Sequence, residues 1–429
     1  MDAVAAGTPP ALRVLVIGAT GFIGRHLVRA LEARGHRARC AGRDRGDLER
    51  LFPGHEHAAL DLAAEGEAEL AAALAGVDGV VNAAGLIASE AVMRAVHAEG
   101  PVRLFRAARA AGIGRLVQVS ALGAAPDAPT EFLRGKAAAD ADVLADRPPG
   151  WTVVRPSLVY GPGGGSAGLF AALAALPVQF RVGGGAVRPI QVDDLAEGIC
   201  RLLEAEAPLP PVLDAVGPEE TSVDGFVAGF RRWLGRRPAW PVRVPPALLA
   251  LAGRFGGGLV SRDTLLMLER GATADHRPLT AVTGVEPAGI AAGLARTPAT
   301  EGDRIAAGMR FLRLPLRWSL AFMWVVSGVV SLGLYPVDES LGLLAAVGVT
   351  GPLALPVLYA ASAWDVLLGL ALFLGRRVRL WGWVQVATML GYTAILTLFL
   401  PELWLHPFGP VFKNVPILVA TLAMIAVEE

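Results

Sequence analysis

Three glycines and one lysine carry the chemistry this sequence can do. Residues 11–34 read ALRVLVIGATGFIGRHLVRALEAR. A β-branched run from Val14 to Ile17 stops at Gly18, and an amphipathic helical pattern begins near Phe22. Gly18 permits a tight turn, Gly21 lets backbone approach a diphosphate, and Gly24 lets helix and strand lie close together. Phosphates would then meet free N–H groups and the positive end of a helix dipole. Strand, glycine triplet and helix in that order predict a dinucleotide site. Lys136 is the second signal. Of the 39 basic residues only Lys136 and Lys413 are lysine. An arginine-rich chain that keeps a primary amine points to a place where a wide planar fork would not serve.

Other residues must be brought to these by the elements that follow. The next strand, in HRARCAGRDRGD, ends near Arg43, with Asp44 and Arg45 beside it. A carboxylate there suits a free ribose 2′-hydroxyl and an arginine a 2′-phosphate, so NADP(H) is favoured and NAD(H) stays open. AALDL puts Asp61 at a strand end, where it can meet an adenine amine. GVVNAAG brings the small residues Asn82 to Gly85 to another strand terminus, LVQVSALGA carries Ser120, and WTVVRPSLVYGPGG follows. Strands alternating with helices predict an α/β fold of Rossmann type with a doubly wound parallel sheet.

Taken in order, GATGFIG, NAAG, VSALG, RPSLVYGPG and RPIQVDDLAEGI resemble the extended and atypical short-chain dehydrogenase/reductases. The branch containing the nucleotide-binding accessory subunit of respiratory complex I looks most similar, and the likeness runs over roughly residues 11 to 300. It implies a bound NAD(P)(H). It also implies cofactor contacts from Gly18, Thr20, Gly21, Phe22, Ile23 and Gly24, then from Arg43, Asp61, Leu62, Ala83, Ala84, Gly85, Ser120, Lys136 and Pro156. In active members a tyrosine four residues before the lysine handles the substrate proton. The lysine lowers that tyrosine's pKa and holds the nicotinamide ribose, and a serine orients the carbonyl. Here EFLRGKAAAD places Phe132 at the tyrosine position. Lys136 and Ser120 are the remaining catalytic candidates, although the serine of some relatives would align with Leu122, and His97 stands where many relatives have asparagine. Tyr160 is the one tyrosine outside the apolar C-terminal part, in a VYG setting that fits packing at a strand end. Losing general acid assistance removes about 10²–10⁴-fold in rate, which leaves a slow enzyme rather than none.

Several features argue for little. Equal numbers of acidic and basic residues, 39 each, give no reason to expect a nucleic-acid partner. Cys40 and Cys200 are isolated, as free thiols in a reducing compartment would be. His55 and His57 in GHEHAA lack the acidic or cysteine neighbours of a metal site. Asp193 and Asp194 suit a helix N-terminus as caps and dipole partners. GPGGGSAG and VGGGAVRP read as loops, either at a substrate mouth or simply turning the chain. The stretch MDAVAAGTPPALRVLVIG lacks a basic segment followed by a long apolar one, so a cleavable signal is not expected there.

After about Met309 the composition changes. Apolar runs cover Trp318 to Tyr335, Leu353 to Leu374, Leu380 to Leu400 and Val411 to Val427, and each approaches the roughly 20 residues that span a bilayer. LGLLAAVGV, from Leu341, is too short to span and is expected to be interfacial or re-entrant. Arg310, Arg313 and Arg317 precede the first run, and Arg376, Arg377 and Arg379 separate the second from the third. The positive-inside rule then puts the nucleotide domain and both termini in the cytoplasm, on the inner membrane of a cell. This part is similar to the DoxX-like membrane family, with PELWLHPFGPVFKNVPIL as its closing pattern, and that likeness implies a quinone-linked or sulfur-redox setting. Asp365 lies near the middle of the second run, where an ionisable group costs about 2.5–3.5 kcal/mol on an insertion scale. Tyr392, Gln385 and Thr388 are its candidate partners, in a structural bond or in a quinone or proton site. Lys413 is expected to snorkel or to pair with Glu402.

The expected organisation is a leader (1–10), a Rossmann domain (11–235), a pocket or linker region (236–309) and an all-α four-helix transmembrane domain (310–429). Two functions compete. One is a membrane-anchored oxidoreductase acting on an apolar, quinone-like molecule drawn from the bilayer. The other is a non-catalytic NADP(H)-binding assembly or sensing component among respiratory or redox membrane proteins.

Overall fold

The computed structural model describes residues 10–181, 183–206, 208–245, 247 and 262–428. It forms two compact units, Met1–Ala307 and Gly308–Glu429.

In the first unit β1 (Arg13–Ile17) leads to α1 (Phe22–Ala33), β2 (Arg37–Gly42), α2 (Arg45–Leu51) and β3 (Glu56–Ala59). Then come α3 (Glu67–Leu74), β4 (Gly79–Asn82), α4 (Glu90–Arg94) with a π-helical turn at Ala95–Glu99, α5 (Gly100–Ala110) and β5 (Arg115–Val119). Helix α6 (Glu131–Ala145), β6 (Trp151–Pro156), α7 (Gly165–Ala175), α8 (Val192–Glu204) and β7 (Val212–Ala215) complete the sheet region. The seven strands are parallel, in the order β7-β6-β5-β4-β1-β2-β3. Strand β1 shows why both faces are covered. Val14 and Val16 enter a core with Leu27, Leu31, Ile199 and Leu203, whereas Leu15 and Ile17 enter another with Leu104, Phe105 and Trp151. Period-two alternation of apolar residues on both faces requires helices on both sides. The chain moves outward through β1, β2 and β3, then returns with β4 to the other side of β1. That reversal makes a crevice beyond the carboxyl ends of β1 and β4.

Helices α9 (Val223–Trp233), α10 (Arg262–Arg270), α11 (Arg277–Thr283), α12 (Ile290–Ala295) and α13 (Glu301–Met309) follow. A third core gathers Tyr160, Phe170, Phe226 and Phe230 in edge-to-face contacts. Both cysteines are free and buried, and burial pushes each thiol up to about 12. The cap of α8 is Gln191, whose side chain accepts from the N–H groups of Asp193 and Asp194; the two aspartates occupy the first turn instead. Gly184 to Ala186 pack tightly on Leu268 to Gly271: a Cβ on Gly185 would lie 2.5 Å from the Gly271 nitrogen.

The second unit contains α14 (Arg313–Val329, continued by a π turn to Leu334), α15 (Val337–Ala346), α16 (Ala354–Leu374), α17 (Val378–Phe399) and α18 (Asn414–Val427). Its surface is apolar, with Phe322, Leu374 and Leu398 among the exposed side chains, while Ser362, Asp365, Gln385 and Thr421 are buried. That inversion of the soluble pattern fits a bundle whose solvent is lipid. Three described segments, Arg313–Leu334, Gly351–Leu374 and Val378–Phe399, are long and apolar enough to cross a bilayer. The fourth helix starts at Asn414 instead of Val411 and has 14 residues, about 21 Å of rise. Pro401, Pro407 and Pro410 lack the N–H a helix needs and Gly409 has φ +55°, so the chain turns there. LGLLAAVGV lies mostly in α15, a ten-residue helix. Arg313 and Arg317 both face Glu428, at 3.5 and 3.6 Å, so the start of α14 and the end of α18 share one end of the bundle. Lys413 and Glu402 form no ion pair among the described residues.

Small residues set the closest helix contact. A Cβ on Gly369 would meet Ala321 O at 2.6 Å, and one on Gly328 would meet Ser362 O at 2.4 Å. Gly369→Val is therefore expected to destabilise the bundle by about 1–3 kcal/mol, read as a lower aggregation temperature of the full chain in detergent. An exposed control, Gly342→Ala, should leave it unchanged.

Candidate active site at the carboxyl edge of the sheet

The glycine loop owes its shape to close backbone approach. Gly18 has φ +76°, and a Cβ there would lie 3.1 Å from Ala83 and Ala84 backbone atoms. A Cβ on Gly24 would lie 2.1 Å from Gly18 O, so no side chain fits between loop and helix. The N–H groups of Gly18 and Ala19 donate to Ala41 O, at 3.0 Å each. Gly21 precedes α1 without a side-chain cap, which leaves N–H groups of the first turn for a ligand. Thr20 lies against Gly42, and the Phe22 ring lies against Gly164, where a Cβ would be 2.9 Å away. The loop GPGGGSAG therefore rests over the start of α1, held also by His26, which bonds Asp193 at 2.5 Å and Pro162 O at 3.1 Å. Ile23 packs against the first core.

The chain sets further residues along the same edge. Ala83 to Gly85 follow β4, Ser120 follows β5, and Pro156 ends β6, its carbonyl accepting from Leu122 N at 2.9 Å. Lys136, projecting from α6, is buried and donates to Ala84 O at 2.9 Å and Val119 O at 2.8 Å. An ammonium has three N–H donors, so one is left for a ligand. Burial lowers the Lys136 pKa to about 8, and the charge of Asp140 works against that fall. Asp140, one helical turn on, is buried and accepts from Ser120 Oγ at 2.8 Å and Arg155 Nε at 3.0 Å. Its Oδ1 has no hydrogen-bond partner among the described residues. Burial raises its pKa; Ser120, Arg155 and Lys136 oppose the rise. Ser120 is thus turned toward Asp140.

Among the described residues no second phenol stands beside Phe132. The Phe132 ring stands edge-on to His97, centroids 5.0 Å apart. His97 is buried in the π turn, with Nε2 2.9 Å from Leu86 O. Burial, with the Lys136 charge, depresses its pKa to about 3 against the raising effect of Leu86 O, so the imidazole is neutral at ordinary pH. Tyr160 belongs to the third core: a Cβ on Gly293 would come within 2.2 Å of its hydroxyl, and burial raises its pKa.

At the adenosine end Arg43 is exposed and makes no hydrogen bond or ion pair among the described residues. Asp44 caps α2 by accepting from Asp47 N at 3.1 Å, and Arg45 pairs with Glu49. Asp61 Oδ1 accepts from Ala63 N at 3.0 Å. Leu62 is buried against Gly100, and its carbonyl accepts from Arg103, so its side chain serves the core. His55 faces Glu32 and His57 bonds Phe52 O; no metal-type cluster occurs among the described residues.

This geometry agrees with comparison to known proteins. Residues 18–204 match the NAD(P)H-binding family, and residues 321–422 the DoxX-like family. A 3-diazoavenalumate denitrifying reductase of a Streptomyces species is 32% identical over 302 residues, 62% of this chain and 93% of that one. The chain belongs to the NAD(P)H-binding family. A ceramide reductase of Caulobacter vibrioides is 31% identical over 56% of this chain and 76% of its own. Subunit 9 of the NADH dehydrogenase [ubiquinone] 1 alpha subcomplex of Arabidopsis thaliana is 32% identical, over 34% of this chain and 38% of that protein. Among solved structures, gox2253 superimposes with a TM-score of 0.53 at 25% identity, covering 69% of this chain and 97% of its own. The protein is an NAD(P)H-binding oxidoreductase with a DoxX-like membrane domain.

Within this family member, Asp140 and Arg155 are the residues that sequence reasoning passed over. Asp140 had a signal in its i, i+4 spacing from Lys136, which puts those two side chains on one face of α6; Arg155, on β6, had no such local signal. In the DoxX-like unit Asp365 accepts from Tyr392 at 3.1 Å. Gln385 and Thr388 are not its partners: Gln385 donates to Leu368 O, and Thr388 bonds Val384 O and Trp364.

The Lys136 ammonium deprotonates near pH 8 in the fold and near 10.5 when unfolded. Between those values the unfolded chain binds more protons, so stability rises with pH, by up to about 1.4 kcal/mol per unit. Above pH 9 the buried Cys40 and Cys200 thiols lower stability alike in both proteins, so in thermal melts from pH 7.5 to 10.5 the wild type should gain stability relative to Lys136→Met.

Proposed function

We propose that this protein uses NADP(H) to reduce a quinone-like or other apolar substrate drawn from the membrane in which its helices lie. The observation that carries the reading is the buried Lys136, which keeps one N–H free at the sheet's carboxyl edge while Phe132 replaces the acid. The residues present fit a dinucleotide: the crowded glycine loop, the uncapped start of α1 and the spare Lys136 N–H supply donors and no bulk. A reduced nicotinamide, when bound, supplies a hydride. Lys136 would hold its ribose, Gly18 to Gly24 its diphosphate, and Ala83 to Gly85 would let it pass the strand end. Arg43 would take the 2′-phosphate, a role supported by its lack of any internal anion and by the engagement of Asp44 as a cap.

A quinone-like acceptor explains the tolerance of Phe132. Hydride addition to a quinone leaves a delocalised phenolate, which can take its proton from water after the transition state. An isolated carbonyl would leave a localised alkoxide, which needs an acid in place. The basic end of the bundle, with Arg313 and Arg317, would face the cytoplasm together with the nucleotide domain. A second reading, a non-catalytic NADP(H)-binding component of a respiratory assembly, is favoured by Phe132 and by the likeness to the Arabidopsis subunit.

Purified full-length protein in nanodiscs tests both. NADPH oxidation with a short-chain quinone, with little from simple aldehydes and at least 10²-fold loss in Lys136→Ala, is the outcome expected of the enzyme. Tight NADPH binding without turnover on any acceptor would establish the second reading. Titration of NADPH and NADH against Arg43→Ala checks the coenzyme: NADPH should weaken about tenfold or more, as loss of a charge-assisted phosphate contact requires, and NADH should not change.

A further inference from the structure

A cavity of about 370 Å³ opens between α9, α12 and α13, within the first unit. One wall is apolar, made by Trp233, Ile290, Leu294 and Pro298; the Trp233 indole is fixed by donating to Thr297 O at 2.8 Å. Two arginines, Arg232 and Arg304, also line the cavity. Arg304 donates its Nε to Leu234 O at 3.1 Å, which leaves its terminal nitrogens. Neither arginine has a carboxylate within ion-pair distance among the described residues. Neither acid on α13, Glu301 or Asp303, forms an ion pair with them among the described residues; Asp303 instead accepts from the N–H and hydroxyl of Thr300. Arg236 and Arg237, exposed just beyond α9, add charge of the same sign.

A protein that leaves clustered arginines without internal counter-charge beside an apolar wall presents an anion site with a hydrophobic extension. The volume falls at the small end of ligand pockets, about 300–1,000 Å³, enough for a head group and part of one chain. Inorganic phosphate would use the arginines and gain nothing from Trp233, Ile290 and Leu294. An anionic amphiphile uses both. Arg313, the first residue of α14, is nine positions along the chain from Arg304. At about 3.3–3.6 Å per residue even a fully extended tether there reaches roughly 30 Å, so lipid is the most concentrated amphiphile in reach. We propose that this cavity binds an anionic membrane lipid, its phosphate on Arg232 and Arg304 and the start of an acyl chain against Trp233 and Leu294. The site is separate from the nucleotide crevice and does not depend on which reaction occurs there.

The test uses full-length protein in nanodiscs of zwitterionic lipid, with a diazirine-bearing alkyl phosphate as photolabel and peptide mapping as readout. Labelling within residues 226–234 or 290–299 is expected. It should fall at least tenfold in Arg232→Gln/Arg304→Gln and in Ala295→Phe, which fills the cavity and keeps both arginines. Unchanged circular-dichroism melts establish that these variants fold. Doping the nanodiscs with unlabelled anionic phospholipid should suppress the labelling, and millimolar inorganic phosphate should not. Label confined to residues 313–427, or equal labelling in wild type and variants, would overturn the site; suppression by inorganic phosphate alone would overturn its assignment to lipid.

Discussion

One buried ammonium ties together the carboxyl edge of the sheet, where the proposed dinucleotide site lies. Lys136 reaches from α6 to carbonyls at the ends of β4 and β5. The Ala84 carbonyl it holds belongs to the segment against which Gly18 turns. Burying a charge demands partners, and the lysine obtains them from backbone dipoles and from Asp140. Asp140 in turn fastens Ser120 and Arg155, so the ends of three adjacent strands, β4, β5 and β6, meet α6 in one polar network. Remove the ammonium and Asp140 becomes a buried carboxylate supported by Arg155 and Ser120 alone.

The same network accounts for the change at Phe132. Lysine in this position has two uses, holding a ribose and tuning a phenol, and the first stands without the second. Phe132 and the neutral His97 close the space beside it with an aromatic contact in place of a proton donor. The membrane unit solves the opposite problem. Lipid offers no hydrogen bonds, so Asp365 and Tyr392 bond each other inside, small glycines bring helices into contact, and leucine and phenylalanine face outward.

Much of this was legible in the sequence because it rests on local rules. Glycine at 18, 21 and 24 after a β-branched run specifies a turn that only one backbone path satisfies, and long apolar runs specify helices in lipid. The fourth membrane helix was read three residues too long because hydropathy does not register that Pro410 and Gly409 turn the chain. Asp193 and Asp194 were read as caps because composition marks an acidic first turn without showing which side chain folds back; Gln191 does so. Tyr160 packs at a strand end as its VYG setting implies, whereas its contact with Gly293 joins segments 133 residues apart and is not legible in its neighbours.

The sequence by itself determined the parallel sheet, the nucleotide loop, the apolar helices and the loss of the tyrosine, because each is written in the spacing of adjacent residues. Tertiary structure alone decided which polar groups meet: Asp140 with Ser120 and Arg155, Asp365 with Tyr392 rather than Gln385, and Arg232 with Arg304 around a cavity. Such pairings depend on how distant elements cross, and no local periodicity encodes a crossing.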